Sequence, residues 1–232
     1  MTFKERKLWK QASVEEIKDF VTQAYNQEVE NPCPVDKMRA FTDNIRRTSC
    51  GECVICREGI LQLNVLAEGI TQGTGRDGDI EVITEVSENL IIGSCCNYGK
   101  EVGKITKKII EAEQDQFEKH IKRRRCDAVV CKKFFSYYVA PEKCNGCNKC
   151  VDQCLKKAID GGKDLIHIID SSLCDRCGEC VTVCEAFAIQ KAGPVVPKVP
   201  TEPIAVGSFE KQLQNGGDRK STRLNSSHNS NL

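Results

Sequence analysis

The sequence has few aromatic residues, few histidines and no long apolar run. Phe, Trp and Tyr make up 6% of the 232 residues, and there are 3 histidines. No apolar segment approaches the roughly 20 residues that a membrane-spanning helix needs, so no membrane span is expected. The formal net charge of +1 argues against a general attraction to nucleic acid. Because aromatic residues are scarce, Ile, Val and Leu must supply most of the apolar core.

Cysteine, in contrast, is abundant, with 16 residues in the chain. Disulfides would explain this number in a short secreted protein. The N-terminal residues Met1–Lys7, however, are not followed by the apolar segment of a secretion signal. We therefore expect thiolates that bind metal in a reducing compartment, the cytosol.

Eight of the cysteines lie in two copies of the spacing Cys-x2-Cys-x2-Cys-x3-Cys, thirty residues apart. Small bacterial-type iron–sulfur proteins hold [4Fe–4S] clusters with this spacing, and the fourth cysteine of each run ligates the other cluster. The ligands predicted for the first cluster are Cys144, Cys147, Cys150 and Cys184. Those predicted for the second cluster are Cys174, Cys177, Cys180 and Cys154.

A third loop has the spacing Cys-x2-Cys-x2-Cys, at Cys50, Cys53 and Cys56. Around it, apolar residues recur at helical spacing, and Ser13 and Glu16 form a capping box for an earlier helix. Short connections between such helices favour antiparallel neighbours, which predicts a small helical bundle. The predicted helices cover residues 14–25, 35–47, 57–70, 80–92 and 101–124, and strands are predicted at 135–140 and 165–170.

The segment Ser49–Gly59 (SCGECVICREG) resembles the iron–sulfur region of the NADH-binding flavoprotein subunit of respiratory complex I. It also resembles the matching subunit of NAD(P)-linked and bifurcating hydrogenases. In that family the fourth ligand comes from a Ser-x-Cys-x-x-Gly turn, which Ser94, Cys96 and Gly99 match, so the resemblance implies Cys96 rather than Cys95. Ile55 stands where the family usually has proline. The hydrogenase relatives also continue into a dicluster ferredoxin module, so the resemblance extends to Ala192.

The resemblance also implies a large part that binds FMN and NADH, which residues 1–34 are too few to hold. The string Gly73–Gly78 matches Gly-x-Gly-x-x-Gly, but a dinucleotide fingerprint needs a preceding strand and a βαβ unit. Helices are predicted on both sides of this string. We therefore expect no FMN or NAD site in this chain, and a flavin in a separate subunit.

Four cysteines lie outside the three cluster sets: Cys33, Cys95, Cys126 and Cys131. Hydrogenase relatives have a similar His…Cys-x4-Cys segment, and His120, Cys126 and Cys131, with Cys33 as fourth ligand, could hold a structural zinc. The alternative is buried free thiols and a surface imidazole. His167, between Ile166 and Ile168, is expected to be a strand residue rather than a ligand.

The predicted fold is mainly α with a small α+β part: a helical-bundle [4Fe–4S] domain followed by a dicluster ferredoxin-like domain. The predicted regions are an N-terminal helical segment (1–34), the bundle (35–125), a linker with candidate metal-binding cysteines (126–135), the ferredoxin-like domain (136–193) and an extended Pro-rich tail (194–217). Residues 218–232 read like a translated sequencing adapter, so the fold and function predictions leave them out.

These features predict an iron–sulfur electron-transfer subunit with three [4Fe–4S] clusters. It would relay electrons, in either direction, between an NAD(P)H-linked flavoprotein and a ferredoxin or hydrogenase within a multisubunit complex. The sequence shows no acid, base or nucleophile set that predicts catalysis by the chain alone. The alternative is a zinc-binding interaction or nucleic-acid-binding module, because Cys-x2-Cys pairs also occur in zinc ribbons.

Overall fold

The structure, a computed structural model, describes residues 9–27 and 32–209. Within these residues the chain forms seven α-helices and six short β-strands, and it divides into two units. The first unit comprises the described residues up to Ser136 with Lys191–Val196, and the second comprises Tyr137–Gln190 with the residues from Pro197 onward. The segment 218–232, interpreted above as adapter sequence, lies outside the described residues.

Five helices build the first unit, and they lie where the apolar periodicity predicts them. The main pairs pack α4 on α5, α2 on α3 and α3 on α4. Helix α5 begins four residues earlier than predicted and leaves helical backbone angles at Glu113. The helices are α1 (Val14–Asn26), α2 (Pro34–Thr48), α3 (Val54–Thr71), α4 (Asp79–Gly93) and α5 (Asn97–Lys122).

Local signals in the sequence account for the first two helix starts. The Ser13 Oγ accepts a hydrogen bond from the Glu16 backbone N–H at 3.1 Å, which caps α1 as predicted. Pro34 occupies the first position of α2, where its missing N–H costs nothing. The inward faces of the five helices form one continuous apolar core, which includes Ile17, Val21, Met38, Phe41, Ile45, Ile60, Leu63, Ile83, Leu90, Val102 and Phe117.

The second unit contains two short helices, α6 (Lys149–Gln153) and α7 (Glu179–Thr182), each preceded by a residue with positive φ. Three two-stranded sheets accompany them. Strand β1 (Ser136–Val139) pairs with β5 (Ile189–Ala192), β2 (Ile159–Asp160) pairs antiparallel with β4 (Ile168–Ile169), and β3 (Leu165–Ile166) pairs antiparallel with β6 (Ile204–Ala205).

Two features of the second unit differ from the expectation or extend it. The prediction of one strand over residues 165–170 is wrong, because two strands form there and His167 lies in the gap between them. The Pro-rich segment after residue 193 contributes β6, a pairing that its composition did not indicate. None of the helices in the described ranges is both long and apolar enough to cross a bilayer.

Candidate iron–sulfur and metal sites

Two small cavities in the second unit are each lined by four cysteines. Cys144, Cys147, Cys150 and Cys184 line the first cavity. Cys154, Cys174, Cys177 and Cys180 line the second. The structure thus brings together the same quartets that crossed ligation of two clusters requires.

Matching positions of the thirty-residue repeat build the two cavities. The backbone N–H of Cys147 donates to Asn145 Oδ1 at 3.3 Å, and that of Cys177 donates to Asp175 Oδ1 at 3.2 Å. These bonds form a tight turn in each loop, and the three thiols of each loop line a single cavity.

In both copies of the repeat, the fourth cysteine accepts a hydrogen bond from the backbone N–H four residues later. Cys154 Sγ accepts the Ala158 N–H at 3.3 Å, and Cys184 Sγ accepts the Ala188 N–H at 3.3 Å. Such N–H donors stabilise negative charge on a ligating sulfur. The loops therefore supply both the thiols and some of the hydrogen bonds that the thiolates need.

In the absence of a metal, the crowding and burial of the thiols in these cavities oppose their ionisation. Burial, followed by the negative charge of neighbouring cysteines, raises the pKa of Cys150 to about 12 and that of Cys180 to about 11. A bound metal centre reverses this effect, because its positive charge deprotonates the coordinating thiols. The donor set of each cavity therefore fits an iron–sulfur cluster.

The third cysteine loop lies between α2 and α3, with Cys56 in the first turn of α3. Burial, then the charge of Cys96 and of the other two loop cysteines, raises the pKa of Cys56 to about 12. Cys96 immediately precedes α5 and is half-buried, whereas the side chain of Cys95 is exposed. The backbone N–H of Cys95 donates to Cys53 Sγ at 3.5 Å. The structure therefore brings Cys96 close to the loop, and the exposed Cys95 contacts the loop through its backbone N–H.

The Ser94–Gly99 turn shows a feature that fits a cluster held by these four thiols. Among the residues that the structure describes, Ser94 Oγ is the buried side-chain oxygen that lacks a hydrogen-bond partner. A Cβ added to Gly99 would lie 2.2 Å from this oxygen and 3.1 Å from Cys56 Sγ, so only glycine allows this packing. The sulfides of a cluster are acceptors of the kind that the Ser94 hydroxyl needs.

The remaining predicted metal ligands converge in the first unit. Cys33, His120, Cys126 and Cys131 are all buried, and their ligand atoms lie within 4.8 Å of one another. Cys33 precedes α2, His120 is in the last turn of α5, and the other two cysteines lie in the segment that follows α5. The alternative of a surface imidazole is wrong, because His120 has an exposed fraction of 0%.

The distances among Cys33, His120 and Cys131 match those of a tetrahedral zinc site. Ligand bonds of the usual lengths give edges of roughly 3.8 Å between two sulfurs and roughly 3.5 Å between sulfur and nitrogen. Cys33 Sγ lies 3.7 Å from Cys131 Sγ and 3.4 Å from His120 Nε2. Cys131 Sγ lies 3.5 Å from the same nitrogen. A single ion with zinc-like bond lengths therefore fits between these atoms.

The groups around this quartet also suit a metal. His120 Nδ1 lies 2.7 Å from the Gln116 carbonyl oxygen, which leaves Nε2 directed at the three thiols. Burial opposes a charge on His120, but hydrogen bonds with Cys126 and Cys33 raise its pKa to about 10. Hydrogen bonds from Cys131 and Cys33 lower the pKa of Cys126. The site therefore favours at least one thiolate, the form that zinc binds.

Comparison with known proteins finds one iron–sulfur family match in the helical unit and one in the second unit. Residues 36–120 match the family model described as the NADH-ubiquinone oxidoreductase-F iron-sulfur binding region, and residues 167–190 match a 4Fe-4S binding domain. The first match contains the third cysteine loop and Cys96, and the second contains the loop from Cys174 to Cys184. The chain carries these two iron–sulfur modules. The resemblance inferred from Ser49–Gly59 is thereby confirmed.

Relatives include the NADP-reducing hydrogenase subunit HndC of Solidesulfovibrio fructosivorans, 30% identical over 138 residues that cover 60% of this chain and 28% of the relative. The F-type subunit of NADH-quinone oxidoreductase from Mycobacterium bovis is 28% identical over 97 residues, covering 42% of this chain and 22% of the relative. Among solved structures, an NAD+-reducing [NiFe]-hydrogenase is 26% identical with a TM-score of 0.37, covering 39% of this chain and 16% of that chain. The chain thus spans less than a third of the length of these relatives.

Sequence reasoning missed one residue beside a cysteine quartet. His167 is buried, lines the first cavity and places Nδ1 at 3.5 Å from Cys144 Sγ. Burial lowers its pKa, an effect that the charge of Asp160 partly offsets. The thirty-residue repeat could have indicated this position, because His167 and Tyr137 are thirty residues apart. Tyr137 lines the second cavity as His167 lines the first.

Proposed function

We propose that this chain is an electron-transfer module that carries three [4Fe–4S] clusters. Cys50, Cys53, Cys56 and Cys96 hold one cluster in the helical unit. The two crossed quartets of the second unit hold the other two. The observation that supports this proposal most directly is the pair of cavities lined by Cys144, Cys147, Cys150 and Cys184 and by Cys154, Cys174, Cys177 and Cys180.

The clusters supply one-electron redox chemistry, and the chain supplies their environment. Thiolates fix each cluster, backbone N–H groups such as that of Ala158 donate to the ligating sulfur, and apolar side chains exclude water. Val139 and Ile189 line the first cavity, and Ile159 and Ile169 line the second. A dry, hydrogen-bonded environment of this kind sets the reduction potential of a cluster.

The names of the relatives point to the redox partners. An NADP-reducing hydrogenase subunit and an NADH-quinone oxidoreductase subunit are similar to part of this chain. We therefore propose an NAD(P)H-linked flavoprotein as one partner and a ferredoxin or hydrogenase as the other, with the chain between them in a cytoplasmic complex.

A structural zinc in the quartet of Cys33, His120, Cys126 and Cys131 completes the proposal. The ion would join the segment before α2 to the end of α5 and to the segment that follows it. Its role is to hold these parts of the helical unit together rather than to carry electrons, because zinc has no redox chemistry.

The test is metal and sulfide analysis of anaerobically purified protein, combined with electron paramagnetic resonance after reduction. We expect about twelve iron and twelve sulfide per chain, from three clusters of four each, and a single zinc. A colourless protein with several zinc ions and no iron would overturn the proposal in favour of a zinc-binding interaction module.

A further inference from the structure

We propose that His167 donates a hydrogen bond from Nδ1 to Cys144 Sγ and thereby raises the reduction potential of one ferredoxin-type cluster, that of Cys144, Cys147, Cys150 and Cys184. This inference rests on the proposed function, because it requires the cluster to be bound. It makes His167 a positioning and tuning residue for a single cluster of the three.

The imidazole of His167 lies in a site that fits it closely. The residue has an exposed fraction of 2%, and its Nδ1 is 3.5 Å from Cys144 Sγ. On the other side of the ring, Nε2 is 3.2 Å from the Asn148 side-chain oxygen. A Cβ on Gly161 would lie 2.4 Å from His167 Cδ2, so a glycine is needed where the ring packs. The ring is therefore held between Cys144 and Asn148.

Cluster binding determines which nitrogen carries the proton. A ligating thiolate has no proton and can only accept, so Nδ1 must be the donor toward Cys144. In a neutral ring Nε2 is then an acceptor, and Asn148 satisfies it by turning its amide so that the NH₂ group faces the ring. The oxygen and nitrogen of such an amide exchange places with little change in shape. One neutral tautomer thus satisfies both neighbours.

A donor at this position acts on the potential because reduction adds negative charge to the cluster and its sulfurs. A hydrogen bond to an anionic acceptor strengthens as that charge grows. The reduced state therefore gains more from His167 than the oxidised state does, and the potential rises. Hydrogen bonds to the sulfurs are among the factors that set cluster potentials.

The repeat supplies a matched control. Tyr137 stands at the equivalent position thirty residues earlier, is buried and lines the second cavity. A His167→Phe variant keeps an aromatic ring at this position and removes the nitrogen donor, whereas Tyr137→Phe makes a comparable change beside the other cluster. Comparing the two variants separates the loss of the His167 donor from a general effect of altering an aromatic ring near a cluster.

The experiment is a redox titration of both variants and the unaltered protein, followed by electron paramagnetic resonance. For His167→Phe we expect the reduced-to-oxidised ratio of one cluster at a fixed potential to fall about tenfold, which is 59 mV for a one-electron couple. The other two clusters should keep their midpoints. Unchanged midpoints in a fully loaded His167→Phe protein would overturn the inference and leave the proposed function intact.

A measurement on the unaltered protein covers the case in which the variant loses its cluster. Protein labelled with ¹⁵N-histidine has 3 labelled side chains; of the two in the described part of the chain, His120 and His167, it is His167 that lies beside a ferredoxin-type quartet. Pulsed electron paramagnetic resonance of the reduced protein should show coupling to one imidazole nitrogen. The absence of such coupling in protein that contains the clusters would refute the hydrogen bond. Absence of the clusters themselves would instead refute the proposed function.

Discussion

The two units of the chain surround their cysteines in different ways. In the helical unit the quartets lie beside one continuous apolar core that runs from Trp9 to Phe134. The second unit has two helices of 5 and 4 residues and strands of 2 to 4 residues, and two of its large apolar side chains, Leu155 and Phe187, are 95% and 78% exposed. We therefore expect the helical unit to bury apolar area without metal, and the second unit to depend on the proposed clusters to fill its centre.

Removal of iron is expected to have the largest effect, and to affect the two units differently. After anaerobic chelation of iron, the second unit should unfold because its four-cysteine cavities lose the groups that join its loops. The helical unit should keep its helices. Hydrogen exchange measured peptide by peptide would show rapid exchange across residues 137–190 and continued protection in α3 and α5. Equal loss of protection in both units would contradict the comparison.

Loss of the proposed zinc should have the next largest effect, on the stability of the helical unit. Cys131→Ala removes one of four buried ligands and should lower the free energy of unfolding of the helical unit by more than about 4 kcal/mol. Zinc content should fall to zero while iron stays unchanged. The matched control is Cys95→Ser, an exposed cysteine outside the quartet, which should keep the zinc. If Cys131→Ala retained zinc and full stability, the four residues would be buried free thiols and an imidazole.

The choice of Cys96 over Cys95 predicts an effect confined to one cluster. Cys96→Ser should remove the cluster of the helical unit, with a loss of about four iron per chain, while both ferredoxin-type signals remain. Cys95→Ser should preserve all three, because Cys95 is exposed and the bond from its backbone N–H to Cys53 Sγ does not depend on the side chain. The opposite result in electron paramagnetic resonance would transfer the ligand role to Cys95.

Cys154→Ser tests the crossed ligation in the second unit. Because Cys154 lines the cavity of Cys174, Cys177 and Cys180, this change should damage that cluster and spare the one formed by its own loop. Iron content should fall by at most about four per chain. Loss of the other cluster instead would show that each run ligates its own cube.

The smallest expected effect concerns a buried hydroxyl next to the third loop. Tyr98 has an exposed fraction of 1%, and its OH donates to the Ile45 carbonyl at 2.8 Å. Tyr98→Phe should cost about 1 kcal/mol of unfolding free energy, measured by denaturant titration. The partly buried Tyr138, whose OH donates to Gln190 Oε1 at 2.9 Å, is the control in the second unit. A larger effect of Tyr138→Phe would contradict the view that packing stabilises chiefly the helical unit.

Sequence patterns predicted the five long helices well, because helical periodicity and the Ser13 cap are local signals. The thirty-residue repeat also predicted which cysteines line each cavity of the second unit, whereas the ligand role of Cys96 was implied by the family resemblance and stays a prediction. Sequence patterns did not predict β6 or the gap at His167, because these depend on contacts between distant segments. The convergence of Cys33 with His120, which are 87 positions apart, was a hypothesis from the sequence, because spacing cannot show that distant residues meet.

Quantitative iron, sulfide and zinc analysis of a single anaerobic preparation tests the central claim most directly. Three cubes held by twelve thiolates predict about twelve iron and about twelve sulfide per chain, with one zinc beside them. A preparation that contains zinc in place of iron, and that shows no paramagnetic signal on reduction, would contradict the claim.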